Sequence, residues 1–344
     1  MKKFLIVQTA FLGDVILTLP LVQALKQLVP DSQIDFVAIP AAADIVKDHP
    51  DISNVIVYDK HGKQKSIFSF FRLRRKLRFA NYDAVLCPHR SFRSGLLAMA
   101  TRAQVRIGFD NSSLKSAFRE VMPWRFGMHE VERNLSLLKP VLVNSHRSSV
   151  VSPELPKIII SEEYRLKAER FLSDYGVKQP YAVVAPGTVW ATKRYPVEMM
   201  AEVVRKLSEK FANVVVIGGE KDIDLVHDFN VLHEKVVLAI GRLPIMSAAE
   251  IIRGSSLLVA NDSAPVHIAS AFGIPAVAIF GPTVKDFGFY PYHKRSAVVE
   301  VEDLGCRPCT IHGGRRCPIA TFDCMRKISP DEIVEEALEI SGKH

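Results

Sequence analysis

Several short stretches of this 344-residue chain carry residue types that could bind or move charge. "PGTVWATKRYP", residues 186–196, offers a glycine turn, hydroxyls at Thr188 and Thr192, and cations at Lys193 and Arg194. Backbone N–H groups, a hydroxyl and a cation are what an anion cradle needs. The Walker A spacing is absent, and two merely solvated cations ahead of a helix are the plainer alternative. Gly218-Gly219-Glu220 would let a ligand approach the backbone and offer a carboxylate to ribose hydroxyls; a simple turn reads the same way. In "NDSAPVHIAS", Asn261-Asp262-Ser263 can cap a helix opening near Ala264, and Ser263 and His267 share its first turns. A hydroxyl, an imidazole and free N–H groups at a helix start suit a diphosphate, against an ordinary cap beside a core histidine. No G-x-G-x-x-G occurs, which counts against a dinucleotide oxidoreductase.

The first half of the chain is different in kind. "PHRSFRSGLLA", residues 88–98, supplies His89, Arg90, Arg93 and Ser94 for an acidic acceptor. Arg106, in "RIGF", and the segment 62–78 enlarge the same positive region; that segment has seven Lys/Arg, no acid and three Phe, whose rings are core or touch lipid. Asp14 stands inside the greasy run "TAFLGDVILTLPLVQAL", where a carboxylate is costly to bury unpaired; it is a helix cap or a catalytic group. Cys306-x2-Cys309-x7-Cys317-x6-Cys324 has spacing that could furnish a structural zinc site. An iron–sulfur cluster, reduced thiols and disulfides stay open for it, and Cys87 reads as buried core.

Strands and helices alternate around these stretches. Apolar runs predict strands at Phe4–Val7, Ile34–Ile39, Val55–Tyr58 and Ala84–Cys87, then Tyr181–Ala185, Val214–Ile217, Val236–Ile240, Leu257–Ala260 and Ala276–Phe280. Helical patterns fall at Val15–Leu28, with Pro20 kinking or starting it, at Val197–Phe211 and at Ala264–Phe272. Ser329-Pro330-Asp331-Glu332 is a helix start. This is an α/β protein of doubly wound parallel sheets, whose ligands bind at the carboxyl ends of the strands, where the chemical residues stand. The Ser- and Pro-rich "NSHRSSVVSPELP" marks a boundary, giving domains 1–165 and 166–328, with a C-terminal helix in 329–344 that could pack back on the first domain. Residues 1–150 hold 22 Lys+Arg against 12 Asp+Glu; the remainder holds 23 against 25. The first half therefore suits a polyanion or an anionic surface, against a solvated basic face with no particular partner. Polar interruptions at Gln8, Thr9 and Asp14 argue against a signal peptide, and the odd cysteine count fits a cytoplasmic protein.

Taken together, "LGDVILTLP" (12–20), "HRSFRSGLL" (89–97), "RIGF" (106–109), "PGTVWATKRYP", "GGEKD" and "NDSAPVHIASAFGIPAVAIFGPT" resemble the lipopolysaccharide heptosyltransferases, glycosyltransferase family nine, and most its heptosyltransferase II branch. The resemblance implies a GT-B fold of two Rossmann-like domains facing across a cleft, the first for the lipopolysaccharide inner-core acceptor and the second for ADP-heptose. It implies inverting transfer without a catalytic metal. Asp14 would be the general base, with Lys193 stabilising the leaving ADP. Thr188, Thr192 and Lys193 would meet the diphosphate, Glu220 the ribose, and Asp262, Ser263, Ala264 and His267 the sugar-phosphate region. Val189 stands where some members carry a second hydroxyl, and the cysteine cluster is absent from some. The expected protein is a cytoplasmic monomer in peripheral contact with the inner membrane and without a nucleic-acid partner. Rival readings are a transferase using another nucleotide sugar, and a non-catalytic nucleotide- or glycan-binding module with a metal knuckle.

Overall fold

A computed structural model describes residues 2–59, 62, 66–145, 154–229 and 234–342. Lys63 and Lys65 of the basic segment, and residues 146–153 of the Ser/Pro-rich stretch, lie outside the described residues. The chain divides into two units, Met1–Ile159 and Ile160–His344, so the break falls six residues before the one read from sequence.

The first unit holds a parallel six-stranded sheet, ordered β3-β2-β1-β4-β5-β6. Its strands are β1 (Lys3–Val7), β2 (Gln33–Ala38), β3 (Asn54–Val57), β4 (Ala84–Cys87), β5 (Val105–Phe109) and β6 (Glu120–Met122). Phe4, Leu5, Ile6 and Val7 are wholly buried, as expected for a central strand with both faces covered. The second unit repeats the plan with β7 (Tyr181–Ala185), β8 (Asn213–Val216), β9 (Val236–Leu238), β10 (Leu257–Asn261), β11 (Ala276–Phe280) and β12 (Ser296–Glu300), ordered β12-β11-β10-β7-β8-β9. Each order reverses once, between β1 and β4 and between β7 and β10. Those are the switch points at which doubly wound sheets bind ligands.

The expected helix Val15–Leu28 is two helices, Leu12–Ile16 and Leu19–Leu28. Pro20 lacks an N–H and is tolerated only in a first turn, so it starts the second helix. The C-terminal helix Pro330–Ser341 is capped as predicted, Ser329 Oγ accepting from the Glu332 N–H at 3.1 Å. Its apolar face, Ile333, Val334 and Ala337, enters the core of the second unit, packing on the Val197–Lys210 helix and on β10, β11 and β12.

Candidate functional site

At the second switch point the loops after β7 and β10 meet through buried hydrogen bonds. Asn261, wholly buried at the end of β10, accepts from the Tyr195 N–H (3.0 Å) and donates to the Pro186 carbonyl (2.7 Å). That bracket brings the 186–196 loop to the head of the Ala264–Phe272 helix. Lys193 Nζ stands 2.5 Å from Asp262 Oδ2, and the same oxygen accepts from Thr283 Oγ1 at 2.7 Å. Asp262 thus fixes the ammonium in place instead of capping the helix. Ser263 occupies the N-cap position but makes no side-chain cap; its hydroxyl turns to the Asn261 carbonyl at 3.2 Å. The expected side-chain cap is therefore corrected: Asn261 and Asp262 are committed elsewhere. The helix begins with Ala264 and with N–H groups that no capping side chain takes. His267, one turn on, is buried, and its Nδ1 has no hydrogen-bond partner. Burial pushes this imidazole down to about 4, with Asp262 opposing and Lys193 assisting, so it is neutral at pH 7.

Thr188 stays half-buried in the same loop. Thr192 is buried and turned to another loop: its Oγ1 accepts from the Gly314 N–H (2.7 Å), and its own N–H donates to the Gly314 carbonyl (3.0 Å). Its O–H hydrogen is left to donate. Gly313 has φ +81°, and a Cβ there would come within 2.8 Å of Lys193 Cγ; glycine lets the loop lie directly on the lysine stem. Glu220 is exposed and opens a short 3-10 turn after β8. Asp222, missed in the sequence reading, accepts from the Gly219 N–H at 3.0 Å. Its carboxyl fills the space a Gly187 side chain would need, a Cβ there falling 2.4 Å from its Cγ. The quoted "GGEKD" contained it, but only the fold brings it against Gly187.

Cys306, Cys309 and Cys317 lie on the stretch that carries Gly313 and Gly314, and Cys324 in the short helix Asp323–Arg326. Cys309 Sγ lies 3.4 Å from the Cys306 carbonyl, and the buried Cys324 joins the core cluster. All are free thiols. Burial pushes Cys324 up to about 11, with Cys309 adding to it. Among the described residues no group of three or more His, Cys, Asp or Glu is placed to hold a metal ion. The zinc expected at Cys306, Cys309, Cys317 and Cys324 thus has no support from that placement, although Cys306, Cys309 and Cys317 all lie near enough to Cys324 to act on its thiol.

At the first switch point Asp14 lies in the first turn of Leu12–Ile16, just beyond β1, and is partly buried. Phe11, not Asp14, occupies the N-cap position. The turn is hung from buried polar groups: Thr18 Oγ1 donates to the Asp14 carbonyl (2.7 Å), Gln8 Nε2 to Thr18 Oγ1 (3.1 Å), and Asn134 Nδ2 to the Leu17 carbonyl (3.1 Å). Asn134 belongs to the helix Glu130–Ser136, in which Glu130, Arg133 and Asn134 are buried, as is His129 at its N-cap. The sequence reading missed this set; its signal is the polar run "HEVERN" in an otherwise apolar surrounding. Glu130 Oε2 stands 2.9 Å from Arg133 Nε. Burial raises Glu130 to about 7, Arg133 and Arg90 opposing and the Asp14 charge adding. Arg90 and Arg133 both stack on Trp124, at 4.8 and 4.4 Å from the ring centre.

After β4, His89 Nδ1 and the hydroxyls of Thr9, Ser91 and Ser94 form one network of contacts between 2.9 and 3.3 Å. Ser94 is its wholly buried hub and holds His89 from beneath. Arg93 is exposed and hydrogen-bonds the Tyr58 side chain. Arg106 is partly buried, and its guanidinium donates to the Ala117 and Ala103 carbonyls at 2.7 and 2.6 Å.

The sequence model of glycosyltransferase family 9 (heptosyltransferase) matches residues 70–316. Lipopolysaccharide heptosyltransferase 1 of Pseudomonas aeruginosa is 28% identical over 323 residues, 89% of this chain and 86% of that protein. Among solved structures, a family 9 glycosyl transferase from Veillonella parvula matches with a TM-score of 0.87 at 24% identity, over 99% of this chain and 97% of its own. The ADP-heptose lipopolysaccharide heptosyltransferase II of E. coli matches at 0.76 and 21%, over 99% and 98%. These likenesses show the fold, the GT-B class of two Rossmann-like domains. With a type 1 and a type II enzyme among them, the expected type II branch is not singled out.

Proposed function

The chain belongs to glycosyltransferase family 9, the heptosyltransferases, and from that premise we propose that it moves heptose from ADP-heptose to the inner core of lipopolysaccharide with inversion. The observation that carries the donor half is the Lys193–Asp262–Thr283 cluster at an uncapped helix start, beside the unpartnered Nδ1 of His267. Diphosphate oxygens would take the N–H groups at Ser263 and Ala264, the Lys193 ammonium and the hydroxyls of Thr188 and Thr192. Glu220 would accept from the ribose, and neutral His267 would serve the sugar-phosphate region. As the bond to the anomeric carbon breaks, charge gathers on ADP, and Lys193 with the helix start stabilises it.

The first unit supplies the base and the acceptor site in this reading. Asp14, fixed by Thr18, accepts the proton of the attacking acceptor hydroxyl, which must come within about 3 Å of the carboxylate. The hydroxyl oxygen forms the new glycosidic bond as the bond to ADP breaks. Arg90, Arg93 and His89 meet the acidic acceptor, with Ser94 supporting His89. The enzyme would work at the cytoplasmic face of the inner membrane.

Mass spectrometry of truncated lipopolysaccharide acceptor incubated with ADP-heptose tests the reading. A mass gain of one heptose, with thermal stabilisation by ADP and none by UDP or GDP, is expected. Stabilisation by UDP alone would transfer the assignment to another nucleotide sugar.

A further inference from the structure

The basic segment folds into the helix Ile67–Phe79, outside the groups assigned to transfer. Leu73 and Leu77 enter the first unit's core, with Phe70 packed against it. The outer face is unlike an ordinary solvated one: Phe68, Phe71 and Phe79 are 82%, 52% and 69% exposed. At 3.6 residues per turn, Phe68, Phe71, Arg72, Arg75 and Phe79 project from one side, with Lys76 and Arg78 on its flanks. All four cations are exposed, and the helix carries no acid. The helix Phe92–Ala100 packs alongside and exposes Phe92 and Met99 as well.

Single exposed apolar residues need no explanation, but three rings on one side of one helix do. A purely apolar protein partner would leave four cations without purpose. A single strand of nucleic acid calls for a groove that tracks its backbone, and this surface is the convex side of a helix. Rings that enter a headgroup layer, bordered by long cations whose stems follow them and whose heads reach phosphate, match an interfacial helix. We infer that this face is a docking surface for an anionic lipid bilayer, with Phe68, Phe71 and Phe79 entering the headgroup boundary and Arg72, Arg75, Lys76 and Arg78 meeting lipid phosphates. Its use, presenting the first unit to a lipid-borne acceptor, rests on the proposed transfer; the binding itself does not.

Co-sedimentation of the full chain with phosphatidylcholine vesicles, with and without phosphatidylglycerol, tests this. Binding to the anionic vesicles should exceed binding to the neutral ones by about tenfold or more, and fall several-fold at about 0.5 M salt. The F68S/F71S/F79S and R72Q/R75Q/K76Q/R78Q variants should each lose about tenfold or more of that binding while keeping wild-type ADP affinity. As a probe that leaves the face intact, F68W should shift its emission to the blue on anionic vesicles and be quenched by brominated lipid. Equal binding to both vesicle types, unchanged binding by both variants, or an unshifted F68W would overturn the inference. So would a dimer that the phenylalanine variant abolishes, or a preference for single-stranded oligonucleotide over vesicles. Vesicle binding without heptose transfer would instead overturn the transfer reading alone.

Discussion

Replacing Thr192 by valine removes the acceptor of the Gly314 N–H together with the hydroxyl proposed for the diphosphate, and changes little in volume. In the native protein its Oγ1 takes the Gly314 N–H at 2.7 Å, while the reciprocal backbone bond from Thr192 N–H to the Gly314 carbonyl, 3.0 Å, would survive the change. Valine would leave the Gly314 N–H against a methyl group in a buried place. Leaving such a donor unsatisfied costs about 1–3 kcal/mol. At about 1.4 kcal/mol per decade, the seating of this loop on Thr192 and Lys193 weakens by about 5–150-fold. Because Gly313 lies directly on the Lys193 stem, the lysine loosens with the loop. Calorimetric titration with ADP should give a Kd raised by about fivefold or more, and Thr192→Ser should restore it to within about twofold. Native ADP affinity and an unchanged melting temperature in T192V would refute the claim that this loop positions the lysine.

Asp14→Asn should cut turnover on the order of 100-fold or more with ADP affinity intact; an unchanged rate in the mass-spectrometric assay would end the base assignment. Gly313→Ala puts a side chain at φ +81°, a strain of about 1–2 kcal/mol, and against Lys193 Cγ. Calorimetry should show a lower melting temperature together with weaker ADP binding. Glu130 is raised from 4.5 to about 7, so its contribution to stability is full below 4.5 and is lost as pH rises through about 7. The loss amounts to as much as about 3 kcal/mol. Denaturant unfolding between these values should flatten with pH in Glu130→Gln. His267 has the opposite sign, being held at about 4 against 6.5: stability is full above 6.5 and is lost as pH falls through about 4. His49, also held at about 4 by burial, follows the same rule in the first unit. The H267Q variant should therefore lose part of the acid-induced fall in melting temperature, and an unchanged acid limb would contradict the burial of a neutral imidazole.

The central strands Ala84–Cys87, Tyr181–Ala185 and Ala276–Phe280 are legible residue for residue, because strands covered on both faces are continuous apolar runs bounded by turn residues. The edge strand Ser296–Glu300 and the strand Val105–Phe109, half-buried and holding charge, carry no such run. Asp14, Lys193, Asp262 and His267 could be singled out because charged and imidazole groups stand out just after apolar strands. Their partners could not: Asn134 reaches Leu17 across 117 residues, and Thr192 meets Gly314 across 122. Pairings at that distance follow from the fold and leave no local spacing.

The shared strand order of the two sheets has a consequence for how such a chain can diversify. Each switch point gathers its loops from one unit alone: those after β1 and β4 from the first, those after β7 and β10 from the second. Changes in what the first unit recognises need not disturb a single hydrogen bond of the Asn261 bracket or of the Lys193 cluster. A crossover between relatives near Ile159–Ile160 would exchange one unit's switch-point loops while the opposite half is inherited whole. On the proposed assignment of acceptor to the first unit and donor to the second, selection could then revise the two on separate schedules, with the join between the units as the seam along which the gene is recut.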